Sequence, residues 1–119
     1  MIDFTDAGLD RYVAEDPGGP VVMLNLLRFR PDGGRERYAA YAQHVGAISH
    51  RFGVERVYLG SGGRALVAEA GQEWDAVVLV RYPSRQAFAD MIRDPDYRAG
   101  AHLRTEALEE AVLQPTTQM

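Results

Sequence analysis

The chain has 119 residues, 46% hydrophobic and 25% charged, the composition of one globular domain and too little for a cofactor domain joined to a substrate domain. It contains no Cys and all 13 basic residues are Arg, which excludes thiolate nucleophiles, thiolate metal sites, disulfides, Schiff-base lysines and phosphate loops ending in Gly-Lys-Ser/Thr. A net charge of −4 with scattered arginines argues against a nucleic-acid partner, and with no apolar run of spanning length and no signal-peptide pattern in Met-Ile-Asp-Phe-Thr-Asp, the expected setting is the cytoplasm.

In chain order, Thr5 is placed to cap a short helix carrying Leu9, Tyr12 and Val13, which ends before the loop Asp16-Pro17-Gly18-Gly19-Pro20. Val21 to Phe29 is an apolar run of strand length without alternation, the pattern of a strand that is apolar on both faces. Residues 35–52 then predict a helix: Tyr38, Tyr41, Ala42, Val45, Ile48, Ser49 and Phe52 share one arc, and Gly53 ends it. Residues 55–61 and 64–70 read as strand-like pieces interrupted by Gly62-Gly63, a bent strand or a bulged hairpin. Trp74 to Tyr82 predicts a second doubly apolar strand, stopped by Pro83. Ser84 caps a helix with Phe88, Met91 and Ile92, and Asp94-Pro95 restarts it through Tyr97, Ala101 and Leu108. A strand over 110–114 precedes a polar tail.

The order of elements is βαββαβ with an added N-terminal helix, which predicts an α+β ferredoxin-like fold with an antiparallel sheet. The first and third strands belong at the centre of such a sheet, and they are the two most apolar runs. The helices can cover only one face, so a second subunit is expected on the other. The expected boundaries are an N-terminal helix and loop at 1–19, the ferredoxin-like domain at 20–115 and a tail at 116–119.

The segments at 21–29 (Val-Val-Met-Leu-Asn-Leu-Leu-Arg-Phe), 74–85 (Trp-Asp-Ala-Val-Val-Leu-Val-Arg-Tyr-Pro-Ser-Arg) and 94–98 (Asp-Pro-Asp-Tyr-Arg) resemble the family "domain of unknown function 1330", as does Arg104 followed by Ala107-Leu108. The resemblance covers Pro20 to Pro115. It implies a dimeric α+β barrel in which two ferredoxin-like sheets pack face to face, and it implies no established activity. The Gly60-Ser61-Gly62-Gly63 segment departs from the Gly-Gly-Arg-Tyr form common in that family, because Ala65 follows Arg64, so a tyrosine-dependent role there does not carry over. More distant relatives by fold include cofactor-free monooxygenases, cyclases and isomerases, which is analogy of fold and not of site.

Candidate chemistry concentrates in a few side chains. His44 flanks the apolar arc of its helix beside Tyr41, whereas His50 and His102 fall on wet faces; no pair of histidines has ligand spacing, so neither a metal nor another cofactor is expected. Asn25, the only asparagine, interrupts the most apolar strand and is suited either to a substrate oxyanion or to a backbone partner. Arg104 returns to the stripe of Tyr97, Ala101 and Leu108, where either its stem covers the core and its head snorkels to the rim, or its charge meets an anion: a substrate carboxylate, an enolate, or Asp75. Trp74 and Tyr82 complete the expected lining. The assignment is then His44 as base, Tyr41 as proton donor and Asn25 as oxyanion partner, with Arg104, Trp74 and Tyr82 binding substrate. That arrangement predicts a homodimer acting without cofactor, by proton transfer or oxygenation, on a small aromatic, enolic or carboxylate substrate. The alternative is a non-catalytic ligand-binding or structural dimerisation module.

Overall fold

The computed structural model describes residues 5–119, so residues 1–4 of the expected N-terminal segment lie outside the described residues. Helix α1 spans Asp6–Ala14, strand β1 Val21–Phe29 and helix α2 Gly34–Ile48, which tightens into a 3₁₀ turn at Ser49–Phe52. Strand β2 (Glu55–Ser61), strand β3 (Ala76–Tyr82), helix α3 (Arg85–Arg93), helix α4 (Pro95–Ala107) and strand β4 (Leu108–Thr116) follow. The sheet is antiparallel in the order β2-β3-β1-β4, with β1 and β3 central, as the apolar content of those two runs requires. This is the ferredoxin-like arrangement.

Local chemistry sets the helix ends. The hydroxyl of Thr5 accepts from Gly8 N at 3.0 Å, that of Ser84 accepts from Ala87 N at 3.0 Å, and the carboxylate of Asp94 accepts from Asp96 N at 2.9 Å with Pro95 in the first helical turn. Gly53 ends the 3₁₀ turn with φ of 71°, a left-handed conformation that suits glycine.

Along β1 the residues Val21, Met23, Asn25 and Leu27 are buried against the helices, while Val22, Leu24 and Leu26 alternate onto the far face of the sheet. On the helix side, Met23, Leu27, Met91 and Leu108 are fully buried, each worth roughly 1.5–3 kcal/mol of transfer free energy. On the far side, Val77 and Leu79 of β3 lie opposite Leu26 and Leu24. No described helix residue joins that face in the two apolar clusters of the core.

Three sequence expectations are corrected. Residues 64–70 form no strand: both edges of β3 are taken by β2 and β1, Gly62 N donates to Asp75 O at 2.8 Å, and the Arg28 guanidinium holds Gly71 O at 2.6 Å, so the segment closes as a loop. Strand β3 begins at Ala76, leaving Trp74 and Asp75 ahead of it, because the Asp75 carboxylate takes Phe29 N–H at 2.8 Å. Helix α4 stops at Ala107, and Leu108 opens a strand that runs to Thr116, whose hydroxyl donates to Val22 O at 2.7 Å.

The turn from β1 into α2 has no spare volume. A Cβ on Gly34 would run into the carbonyl oxygen of Ala107 and stand 3.2 Å from Arg30 Cβ. Helix propensity favours alanine there by about 1 kcal/mol. The clash is with backbone at the α4–β4 junction, so Gly34→Ala is expected to destabilise by about 1–3 kcal/mol net. Urea unfolding measures this; a variant as stable as the parent would show that α2 and α4 can separate freely.

Candidate functional site

A cavity of about 610 Å³ lies between the helix side of the sheet and helices α2, α3 and α4. Its floor is Asn25 of β1, Arg56 of β2, Val78, Val80 and Tyr82 of β3, and Leu113 of β4. Tyr38 and Tyr41, one turn apart on α2, supply one wall, and the stripe Tyr97, Ala101 and Arg104 of α4 supplies the opposite one. Phe88, Met91 and Ile92 of α3 close an apolar end.

The phenols are organised. The Tyr41 and Tyr97 hydroxyl oxygens are 2.9 Å apart, their rings meeting edge to face at 6.2 Å. Tyr38 packs 5.4 Å from Tyr41 and 5.6 Å from Phe29, and Tyr82 meets Phe88 edge-on at 5.0 Å. Burial pushes the Tyr41 hydroxyl well above the ordinary phenol range, and the adjoining Tyr97 hydroxyl adds to it. Burial raises Tyr38 and Tyr82 in the same direction, and in all three the positive charge of Arg104 opposes the shift. At neutral pH these three groups are therefore protonated donors, and Arg104 is the cation they share.

Asn25 is 8% exposed, and its Nδ2 donates to Val78 O at 3.4 Å, a long bond to the neighbouring strand. An amide has capacity for three further bonds, so its cavity-facing position suits a ligand oxygen or water. The lining also carries Arg56, Arg93, Arg98 and Arg104 against the single carboxylate of Asp6 among the described residues. Arg93 is ion-paired with Asp10 at 2.6 Å, whereas Arg56 and Arg98 have no ion-pair partner among the described residues. A chain of net negative charge thus gathers cations around one cavity.

Of the expected site residues, Asn25, Tyr41, Tyr82 and Arg104 line this cavity, and His44 and Trp74 do not. The His44 ring sits on the seam between α2 and α4 against Gly100, its Nε2 2.6 Å from the carbonyl oxygen of Asp96. A carbonyl can only accept, so Nε2 carries the proton and donates it there. The flank of the helical arc that holds His44 is the one that α4 covers, and so a role for it as base is not retained. Trp74, ahead of β3, lies under the Arg28 guanidinium, 4.9 Å from its ring. The Asp75 carboxylate, engaged by Phe29 N–H, is likewise outside the cavity lining. The expected assignment omits Tyr38, Tyr97 and Arg56. Tyr97 was accessible from the same helical wheel as Arg104; Arg56 was not, because a bulge between Arg56 and Tyr58 breaks the strand alternation.

The family model "Domain of unknown function (DUF1330)" matches residues 33–114. The RPA0582 protein of unknown function from Rhodopseudomonas palustris is 36% identical, with a TM-score of 0.90, over 100% of this chain and 97% of that one. The chain belongs to the DUF1330 family. Beyond it, a dimeric ferredoxin-like protein of unknown function from Jannaschia shares the fold at 9% identity and a TM-score of 0.65, over 84% of this chain and 100% of the other. A dimeric ferredoxin-like protein of unknown function from Thermobifida fusca does so at 21% identity and a TM-score of 0.54, over 86% and 93% of the two chains. No curated protein matches. Among the described residues, no group of His, Asp or Glu side chains is arranged to hold a metal, and no helix is long and apolar enough to cross a membrane.

Proposed function

We propose that this DUF1330 protein is a homodimer in which each subunit binds a small organic anion with a flat apolar body. The observation that carries the reading is the convergence of Arg104, Asn25 and the Tyr41–Tyr97 hydroxyl pair on one cavity whose remaining walls are aromatic and aliphatic. Its volume of about 610 Å³ is in the usual range for small-molecule sites. Arg104 anchors the carboxylate or enolate, and the aromatic rings of Tyr38 and Tyr82 flank the apolar body. In this reading Tyr97 donates to Tyr41, and the Tyr41 proton goes to a ligand oxygen.

The chemistry such a site offers is donation and charge stabilisation. With His44 outside the cavity lining, the catalytic form of the reading uses Tyr41 as acid and Asn25 as oxyanion partner toward a substrate that is already enolic or phenolic. The non-catalytic form uses the same contacts for binding alone. Support for the dimer comes from the apolar far face of the sheet and from the dimeric state named for the Jannaschia and Thermobifida proteins.

A thermal-shift comparison of aromatic carboxylic acids with their uncharged amides tests the reading. An acid at 100 times its dissociation constant adds about 2.7 kcal/mol, an upward shift of roughly 10 °C for a domain of this size. Equal shifts from acids and amides would remove the anion from the proposal, and no shift across the panel would remove the site.

A further inference from the structure

We infer that edge strand β2 and the loop that follows it form a clasp that closes over a second copy of this chain; this rests on the homodimer reading above. Among the described residues, the exposed large hydrophobic side chains other than the C-terminal Met119 fall in one stretch, 57–67. Val57, Tyr58 and Leu59 on β2 are each more than 50% exposed, and Leu66 and Val67 in the loop are 100% and 96% exposed. Singly, such residues are ordinary; Leu59 faces the helix side opposite Val78, whereas Tyr58 on the far face and Leu66 and Val67 in the loop mark a contact surface.

The loop is built to hold that surface out. Residues 62–75 join β2 to β3, far longer than the roughly two to five residues of an ordinary hairpin connection. Both ends are fastened. Gly62 N donates to Asp75 O at 2.8 Å and Asp75 N donates to Leu27 O at 2.7 Å. The Arg28 guanidinium donates to Gly71 O at 2.6 Å and to Glu73 O at 3.0 Å, pairs with Glu110 at 2.8 Å and covers Trp74. Glycine is required at the base, because a Cβ on Gly62 would occupy the position of the Trp74 carbonyl oxygen. A fixed base with apolar residues at its exposed part is an arm, and solvent gives it no reason to carry Leu and Val.

Its position selects the occupant. Arg28 lies on β1 opposite Glu110, alternating with Leu26 on the face away from the helices, so the arm rises beside the uncovered face of the sheet. Tyr58, opposite Leu79, belongs to that same face. Between the arm and Arg28 there is a concavity of about 560 Å³ bordered by Ala65, Leu66, Ala68 and Ala70. The four strands, nine, seven, seven and nine residues long, cover on the order of 500 Å² at the usual strand spacing and rise. A stable dimer needs about 800 Å² per partner. The sheet face alone falls short, and the arm, continuous with it, supplies the remainder. Two-fold symmetry applies the contact twice, each arm lying on the other copy.

Sedimentation of the full chain and of the Leu66→Asp/Val67→Asp variant tests this. The expected result is a dimer at low micromolar concentration for the parent, and a dissociation constant raised by about a hundredfold or more in the variant with unchanged far-UV circular dichroism. A parent that stays monomeric overturns the homodimer reading itself, whereas equal dissociation constants overturn the clasp alone. Because the chain has no Cys, Val67→Cys reports the same contact without disturbing it. Its alkylation rate should fall as protein concentration rises through the dimer dissociation constant; a rate independent of concentration in a dimeric protein overturns the clasp whether or not the double variant folds.

Discussion

Arg104→Met is expected to weaken binding of an anionic ligand by more than about 2 kcal/mol, at least about thirtyfold in dissociation constant, while the fold stands. Arg104 shares a stripe of α4 with Tyr97 and Ala101 and lines the cavity, and its charge acts on the hydroxyls of Tyr38, Tyr41 and Tyr82. Methionine keeps the packing of the aliphatic stem and removes the guanidinium fork with every bond it makes, so affinity and stability have to be read together. Titration calorimetry with an aromatic carboxylate, alongside urea unfolding, separates the two roles an arginine can have here. Lost affinity with retained stability assigns Arg104 to the ligand. A loss of several kcal/mol in stability with affinity intact would assign it to an internal ion pair. If both are unchanged, it covers the edge of the core and leaves the site.

Alkaline pH should unfold the protein cooperatively within one or two pH units above about 10. Burial raises the hydroxyls of Tyr12, Tyr38, Tyr41 and Tyr82 above the ordinary phenol range. Below about pH 10 both folded and unfolded chains keep these protons, and the stabilisation is fully present. Above it the unfolded chain releases them first, so stability falls as pH rises through the folded-state values, by up to about 1.4 kcal/mol per pH unit for each tyrosine. The three deeply buried ones, Tyr38, Tyr41 and Tyr82, together approach about 4 kcal/mol per unit, a large fraction of the whole stability of a small domain. Phenolate absorbance and far-UV circular dichroism should therefore change together. Ionisation of Tyr38, Tyr41 and Tyr82 near pH 10 in a chain with unchanged dichroism would contradict their burial.

The cavity was half legible in the sequence, for reasons that differ from residue to residue. Asn25 stood out because a lone amide in an apolar strand has to be accounted for, and Arg104 because a cation on an apolar stripe does; both line the cavity. The periodicity of α2 says how far His44 lies from the apolar arc but not which neighbouring helix covers its flank. That neighbour is α4, and its Asp96 carbonyl takes the imidazole. Trp74 was misplaced by the two residues that separate an apolar run from the first ladder position of β3. Arg56 was hidden by a bulge, since one extra residue inverts the inside-outside reading of everything before it.

By itself the sequence determined the element order, the central places of β1 and β3, the helix caps at Thr5, Ser84 and Asp94, and the absence of thiol and amine chemistry. These follow from composition, from apolar periodicity and from side chains acting within a few residues of themselves. Only the tertiary structure decided that the Tyr41 and Tyr97 hydroxyls meet, that the His44 ring lies on the seam between α2 and α4, and that residues 64–70 form a loop instead of joining the sheet. Each of those outcomes depends on contacts with a segment tens of residues away, Arg28 with Gly71 among them, and no local pattern carries that information.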